Sequence, residues 1–291
     1  MKATERFFKV GFFYRAENPQ ARAWERRIAN WIRRHSPRSA LLPPNVLPRS
    51  RRDAPGVLIV LGGDGTILEA SQKFQRWNPL VFGLNLGRVG FLASVRDPRD
   101  FIGGLRKLFA GEYRTVPRMM VKASLIRRGK IIYTDHNLND ITVQSLFSLV
   151  RIKVCVDDHP VQYVHGSGIL VSTATGSTAY NLSAHGPIVM PDIRCLVVTE
   201  LMDHNLPTPT LIVKRDRTVS LHIQDFRKRD EFLVRRTNQK ADVILTADSA
   251  NIIPLEKHDT VVIKKSPRLI RFAELDRNYF FKSLEEKLAF R

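Results

Sequence analysis

Six residues, Gly62-Gly63-Asp64-Gly65-Thr66-Ile67, follow directly on the apolar run Val57-Leu58-Ile59-Val60-Leu61 and lead into a helix-like stretch, Leu68 to Phe74. A buried strand that breaks into glycines and then into a helix is a turn built for phosphate approach, because free backbone amides collect at the helix start. Asp64 is the unusual member. A carboxylate among phosphate-cradling glycines repels phosphate, so its chemistry is to take a proton from a hydroxyl or to meet a phosphate-bound cation. The plainer role open to it is to cap the helix. No lysine follows, as it would in a Walker loop, and the spacing is not that of a dinucleotide fingerprint. The turn therefore points to phosphoryl transfer on a different scaffold.

A second polar constellation spans Gly166 to Pro191, GSGILVSTATGSTAYNLSAHGPIVMP. Its strand, Ile169 to Ser172, gives way to hydroxyls and a glycine, then to a short helix from Thr178 to Ala184. Hydroxyls and free amides at a helix start suit phosphate oxygens, ribose hydroxyls and base edges. Tyr180 can stack on a base, while Thr175 or Ser177 can equally be an ordinary cap. Asn139-Asp140, ahead of a strand at Ile141 to Val143, can read an adenine edge and accept from ribose hydroxyls, or can simply form a turn. Gly83 to Phe91 (GLNLGRVGF) places glycines at a strand end, fit for close backbone approach or a tight turn.

The elements that must position these residues differ between the two halves. Residues 7 to 14 read as a strand, and Trp24, Ile28, Trp31 and Ile32 then fall on one face at helical spacing, with the two tryptophans expected in the core. A proline-rich loop, Pro43 to Pro55, precedes the glycine turn; a strand at Leu80 to Leu84 and a helix carrying Phe101, Leu105, Leu108 and Phe109 follow it. Alternating strands and helices predict a parallel sheet that binds ligands at the carboxyl ends of its strands, where Asp64 stands. From Pro117 the pattern changes to short runs rich in Val, Ile and Thr: Met120 to Ile126, Lys130 to Tyr133, Ile141 to Val143, Leu149 to Val156, Val219 to Ile223, Val243 to Thr246 and Thr260 to Lys264. These predict stacked antiparallel sheets. Tyr279-Phe280-Phe281 with Leu284 and Leu288 returns to helical spacing and is expected to pack on another element.

The chain's 291 residues, 43% hydrophobic, suffice for one large or two ordinary domains. Lys and Arg number 47 against 28 acidic residues, a net +19 that concentrates polyanions. The clusters Pro48-Arg49-Ser50-Arg51-Arg52 and Arg227-Lys228-Arg229 lack interleaved aromatics and read as solvated loops, so a nucleic-acid partner is not expected. Cys155 and Cys195 show neither pairing nor metal-ligand spacing, which fits a reduced, cytoplasmic protein. A signal-peptide core and a run of about 18 apolar residues are both absent, so no membrane partner is expected.

Taken in order, Gly62-Gly63-Asp64-Gly65-Thr66, the Asn85 to Leu92 stretch, Asn139-Asp140 and STATGSTAYNLSAHGPI from Ser172 to Ile188 resemble the NAD kinases, also called inorganic polyphosphate/ATP-NAD kinases. TGSTAY is the most specific part; the glycine-Asp turn alone is shared with diacylglycerol and sphingosine kinases and, more loosely, phosphofructokinases. The resemblance implies an α/β plus all-β fold: an amino-terminal Rossmann-like α/β domain and a carboxyl-terminal β-sandwich domain. Laid on the change of texture, it divides the chain into an α/β domain at 1–116 with the glycine turn, a dinucleotide-binding β-sandwich at 117–266, and a terminal segment at 267–291 packing back on the α/β domain. It implies transfer of a phosphoryl group from ATP or polyphosphate to the adenosine ribose 2′-hydroxyl of NAD, giving NADP, by a homodimer or homotetramer.

Position by position, the resemblance makes Asp64 the catalytic residue, with Gly63, Gly65 and Thr66 allowing the nucleotide to approach. Asn139 and Asp140 would hold the adenosine part, and Thr175, Thr178, Ala179, Tyr180 and Ser183 would line the adenine and ribose pocket. His204 matches a histidine that the family often places near the ligand, and His165 joins the binding residues as a neighbour of Ser167. No cluster of protein metal ligands is visible, so Mg²⁺ or another divalent cation would ride on the donor phosphates. Four positions depart from the family pattern: Asp140 stands for the usual Glu, Ser167 for a common Asp, and His185 and Ser249 for frequent glycines. A lipid kinase sharing the glycine-Asp turn and a non-catalytic dinucleotide or polyanion binder are the two other readings.

Overall fold

The computed structural model describes residues 8–88, 90–146, 148–203, 208–227, 233–234, 239–248 and 251–288. The chain forms two compact units, residues 1–118 together with 268–291, and residues 119–267.

The first unit is an α/β layer structure around a parallel sheet. Its strands run in the spatial order Ala40–Leu41, Lys9–Tyr14, Val57–Leu61, Leu80–Leu84, and then the last part of Thr260–Glu274, where Arg271 and Phe272 pair with Leu80 and Val81. Val57–Leu61 and Leu80–Leu84 are buried at all five positions, as an interior parallel strand covered on both faces requires. The helix Pro19–His35 starts at a cap in which Asn18 accepts from the Ala21 amide at 3.0 Å, with proline at the first turn. It buries Ala21, Ile28, Ala29 and Ile32. Trp24 and Trp31 are only partly buried: they close the rim of the core, edge-on to Phe101 at 4.9 Å and Phe109 at 5.7 Å. Indoles are too large to sit wholly inside so thin a layer. The helix Phe101–Ala110 ends at Gly111, whose left-handed φ of 79° lets its amide reach the Leu108 and Lys107 carbonyls.

The glycine turn produces a longer helix than periodicity suggests. Gly63 is the extended capping residue, its carbonyl accepts from Thr66 and Ile67, and the helix Asp64–Phe74 begins at the acid itself rather than at Leu68. Polar residues at a helix start carry no hydrophobic period, so the first turn was invisible to that signal.

The second unit is an antiparallel β-sandwich. Strand neighbours run Asn251–Pro254, Val243–Ala247, Asp140–Ser145, His159–Thr173, Val150–Val156, Val219–Phe226 and the first part of Thr260–Glu274, with Cys195–Asp203 and Leu211–Lys214 added beside His159–Thr173. The strand His159–Thr173 changes partners along its length: its start pairs with Val150–Val156 and its end with Asp140–Ser145. That is why it runs ten residues before the Ile169 at which the sequence shows an apolar run. Inward side chains, among them Val143, Ile152, Ile169, Leu221 and Val261, form one continuous core.

Arg127 grips this unit from one edge. Its guanidinium donates to both Asp259 oxygens at 2.9 and 2.7 Å, and Asp259, 1% exposed, also accepts from the Glu256 amide. The Asp259 hydrogen bond holds the Arg127 guanidinium above its ordinary basicity. Asp259 is buried but Arg127 is about a quarter exposed and keeps Glu256 at 2.9 Å and the Pro254 carbonyl at 3.0 Å, so Asp259→Ala should lower unfolding stability by about 1–3 kcal/mol, read from urea midpoints; no measurable loss would refute the assignment.

Candidate active site

Each unit carries one acid-centred group. In the first, the Val57–Leu61 strand delivers the chain to Gly62, whose amide donates to the Leu84 carbonyl at 3.0 Å. A Cβ on Gly62 would lie 2.6 Å from the Thr66 hydroxyl, so only glycine fits. Gly63 and Gly65 differ: a Cβ on either meets nothing nearer than 3.9 Å. The protein's own packing leaves these two positions open to an incoming group.

Asp64 does not cap its helix. Its Oδ2 accepts from the Phe91 amide at 2.7 Å and its Oδ1 from the Leu92 amide at 3.2 Å. Gly90 packs so closely that a Cβ there would fall 2.0 Å from Oδ1. The loop that presents these amides is anchored by buried Asn85, which accepts from the Gly87 amide at 3.2 Å and donates to the Gly87 carbonyl at 3.0 Å. Behind Gly90 lies Tyr279 of the terminal helix Tyr279–Leu288, its phenol pushed up to about 12 by burial and then by the charge of Asp64. The carboxylate is thus aimed by backbone donors before any ligand arrives.

Arg15, at the end of the first strand, was passed over in the sequence. One of its guanidinium nitrogens stands 3.9 Å from where a Gly65 Cβ would be, which supplies a cation beside the turn. A basic residue directly after a parallel strand was the available signal.

In the second unit, the Asp248 carboxylate accepts from the amides of Leu138, Asn139 and Asp140 at 2.8, 2.8 and 2.9 Å. The Thr173 hydroxyl donates to the Leu138 carbonyl at 2.6 Å and accepts from the Gly176 amide at 3.1 Å. A Cβ on Gly176 would lie 2.3 Å from the Asn139 carbonyl, so the Thr175–Ser183 segment is seated directly on Asn139-Asp140. A 3-10 turn, Gly176–Thr178, and one helical turn, Tyr180–Ser183, stand where one short helix was expected, because Ala179 leaves helical geometry. Ser177 and Asn181, both 0% exposed, brace this segment: the Ser177 hydroxyl donates to the Ala174 carbonyl and accepts from Val189, and Asn181 bonds Ser177, Pro187 and Thr199. Thr175 is buried, Thr178 and Ala179 are half-buried, and Tyr180 and Ser183 are exposed.

The Asp140 carboxyl, 4% exposed, is raised to about 7 by burial and then by the Asp248 charge. The Tyr180 phenol is also raised, by burial and then by Asp140, and its hydroxyl donates to the Gln144 side chain at 3.4 Å. Asp248 was absent from the residues picked out in the sequence, since an isolated acid after a strand carries no spacing signal. His165 and Ser167 stand half-buried on one face of the strand His159–Thr173. They precede Ser172, the residue paired with Asp140, by seven and five positions, so they lie roughly 23 and 17 Å along the strand from it and do not join this group. His185 has a left-handed φ of 60°, a conformation glycine takes without strain. His204 and Ser249 lie outside the described residues. Among the described residues no group of three or more His, Cys, Asp or Glu is placed to hold a metal ion.

A glycine-Asp turn on a parallel sheet, joined in one chain to a hydroxyl-rich β-sandwich site, is the architecture of a nucleotide-dependent phosphotransferase. The profile described as ATP-NAD kinase N-terminal domain matches residues 45–113, and that described as ATP-NAD kinase C-terminal domain matches 138–275. The NAD kinase of Heliobacterium modesticaldum is 32% identical over 290 residues, covering 96% of this chain and 98% of its own. That of Lachnoclostridium phytofermentans is 33% identical over 234 residues, 79% of this chain and 78% of its own. Among solved structures, yeast NADH kinase complexed with NADH shares the fold with a TM-score of 0.84 at 19% identity, covering 98% of this chain and 89% of that one. An NAD kinase from Archaeoglobus fulgidus in complex with ATP gives 0.75 at 23% identity, covering 95% and 98%. The chain belongs to the NAD kinase family, and its fold is the α/β domain plus β-sandwich that the resemblance implied.

The Asp140 environment sets a pH dependence. Unfolded, its carboxyl titrates near 3.8; folded, near 7. Between these values the folded state keeps a proton that the unfolded state has lost, so this group's contribution to stability falls as pH rises from about 4 to about 7. Asp140→Asn, neutral throughout, should be more stable than the native chain at pH 8 by on the order of 2–4 kcal/mol and should lose that advantage at pH 4, as urea melts at the two pH values will show.

Proposed function

We propose that this chain is an NAD kinase in which Asp64 orients the adenosine ribose 2′-hydroxyl of NAD and accepts its proton as a phosphoryl group arrives from ATP or polyphosphate. The observation that carries the reading is the fixed placement of the Asp64 carboxylate, which stands beside the open positions Gly63 and Gly65 and is held by the Phe91 and Leu92 amides of the neighbouring loop. A ribose hydroxyl is a poor nucleophile at neutral pH, and a positioned carboxylate removes that barrier. The oxygen–hydrogen bond gives its proton to Asp64, a new oxygen–phosphorus bond forms, and the donor's terminal phosphoanhydride bond breaks with its electrons leaving on the shortened donor. NADP is the product. Relatives at 32–33% identity that bear the name NAD kinase support this reading over a lipid kinase.

Asn139 and Asp140 hold the adenosine part, and Thr175, Thr178, Ala179, Tyr180 and Ser183 line its pocket. His165, Ser167 and His204 are assigned to more distant parts of the dinucleotide, which makes residues 117–266 the dinucleotide-binding domain and 267–291 a segment that completes the α/β domain. Gly63, Gly65 and Thr66 receive the nucleotide phosphates. A divalent cation such as Mg²⁺ is assigned to the donor phosphates, whose hard oxygens suit it. Both cysteines are free and buried, as in a reduced compartment, and with the family resemblance this supports placing the protein in the cytoplasm; the resemblance alone supports a homodimer or homotetramer.

Two substitutions test this reading. Asp64→Asn should lower kcat for NADP formation by about 10²–10⁴-fold while NAD affinity, read by calorimetry, stays within about threefold; retained turnover would sink the proton-acceptor role. Gly65→Ala should melt no lower than the native protein, because its methyl meets no protein atom closer than 3.9 Å and alanine favours a helix. Its KM for the phosphoryl donor should nevertheless rise by on the order of tenfold through steric exclusion. An unchanged KM with both ATP and polyphosphate would show that the turn does not receive the donor.

A further inference from the structure

The Asp64 carboxylate is held by a peptide unit that the last helix of the chain grips from its other side. The Phe91 N–H that donates to Asp64 Oδ2 and the Gly90 carbonyl belong to one planar peptide group, so fixing one end fixes the other. That carbonyl accepts from the Tyr279 hydroxyl at 3.3 Å and lies 3.0 Å from the Ser283 hydroxyl, whose one proton it shares with the Tyr279 carbonyl, also at 3.0 Å. Both side chains are buried, at 8% and 0% exposure. Arg96 locks the pair: one guanidinium nitrogen donates to the Ser283 hydroxyl at 2.8 Å and to the Tyr279 carbonyl at 3.0 Å, while another meets Glu286 at 3.0 Å. The guanidinium also lies 4.7 Å from the Tyr279 ring centre, and Phe280 packs on Phe91 at 5.8 Å.

We infer that Ser283 and Tyr279 are positioning residues for phosphoryl transfer, acting through the Gly90–Phe91 peptide to hold the Asp64 carboxylate on its target. This rests on Asp64 being the proton acceptor proposed above. Both hydroxyls converge on the one carbonyl behind the Asp64 donor, while Phe280 and Arg96 dock the helix through separate contacts. Hydrogen bonds in series also polarise one another, so donors on the carbonyl strengthen the N–H as a donor to the carboxylate. Losing them frees the peptide plane to rotate, and a displacement of about 1 Å at the reacting group costs up to about 100-fold in rate.

The experiment compares the native protein with Tyr279→Phe/Ser283→Ala, with Lys282→Ala as a control on the same helix, an exposed residue whose ammonium pairs with Asp276. The paired variant should lose kcat by about tenfold or more, with KM for NAD and ATP within about threefold. Its Tm should stay within a few degrees of the control, and the control should keep native kcat. In an Asp64→Asn background the same pair should change the residual rate by less than about twofold, since positioning acts only through the carboxylate. A native kcat in the paired variant overturns the inference, and so does a loss that persists undiminished without the carboxylate or that appears equally in KM. Where the paired variant does not fold, Tyr279→Phe alone decides: a kcat loss of about threefold or more at unchanged KM supports the inference and native kcat overturns it. Turnover surviving in Asp64→Asn sinks the proton-acceptor reading together with this one, whereas a dead Asp64→Asn beside a fully active paired variant sinks this inference alone.

Discussion

The donation of two backbone amides, from Phe91 and Leu92, to the Asp64 carboxylate is the interaction on which the site depends. A carboxylate at a glycine turn that invites phosphate would otherwise swing toward solvent or onto its own helix start. Amides of a neighbouring loop fix it with neutral donors. The constraint reaches into sequence choice: Gly62 must pass Thr66, and Gly90 must pass the carboxylate itself. Asn85 then has to shape the loop that presents the amides.

The β-sandwich solves a related problem by other means. Asp248 gathers three successive amides and thereby fixes Leu138 to Asp140 as a rigid shelf on which Gly176 sits. Asp140 is left buried beside that charge, which is why its carboxyl titrates near neutrality instead of near 4. One acid builds the shelf, and the other is left buried with its carboxyl raised. Each compact unit thus uses backbone amides to hold a carboxylate, once for aim and once for architecture.

Much of the fold was legible in the residues. Fully apolar runs such as Val57–Leu61 become interior strands because a parallel sheet buries both faces, and the Val, Ile and Thr runs after Pro117 become sandwich strands. Family order in the glycine turn, Asn139-Asp140 and the Thr175–Ser183 segment identified the class. Less legible were the ends of elements. The helix at the glycine turn begins four residues before its first periodic position, and Trp24 and Trp31 sit at the rim of the core because spacing gives a face but not a depth.

By itself the sequence determined the family and the runs that become strands, since residue type and short-range spacing are local properties of the chain. Only the tertiary structure decided what holds the site segments. Asp248 reaches Leu138 across 110 residues, and Ser283 reaches Gly90 across 193. The departures from local expectation have the same origin: His185 takes a left-handed turn where its segment bends back, and the strand His159–Thr173 outruns its apolar stretch because it finds a second partner. Contacts at such separations leave no periodic trace in the chain, because what joins the groups is the closing of backbone hydrogen bonds in a folded core, and that closure does not exist until the whole unit has formed.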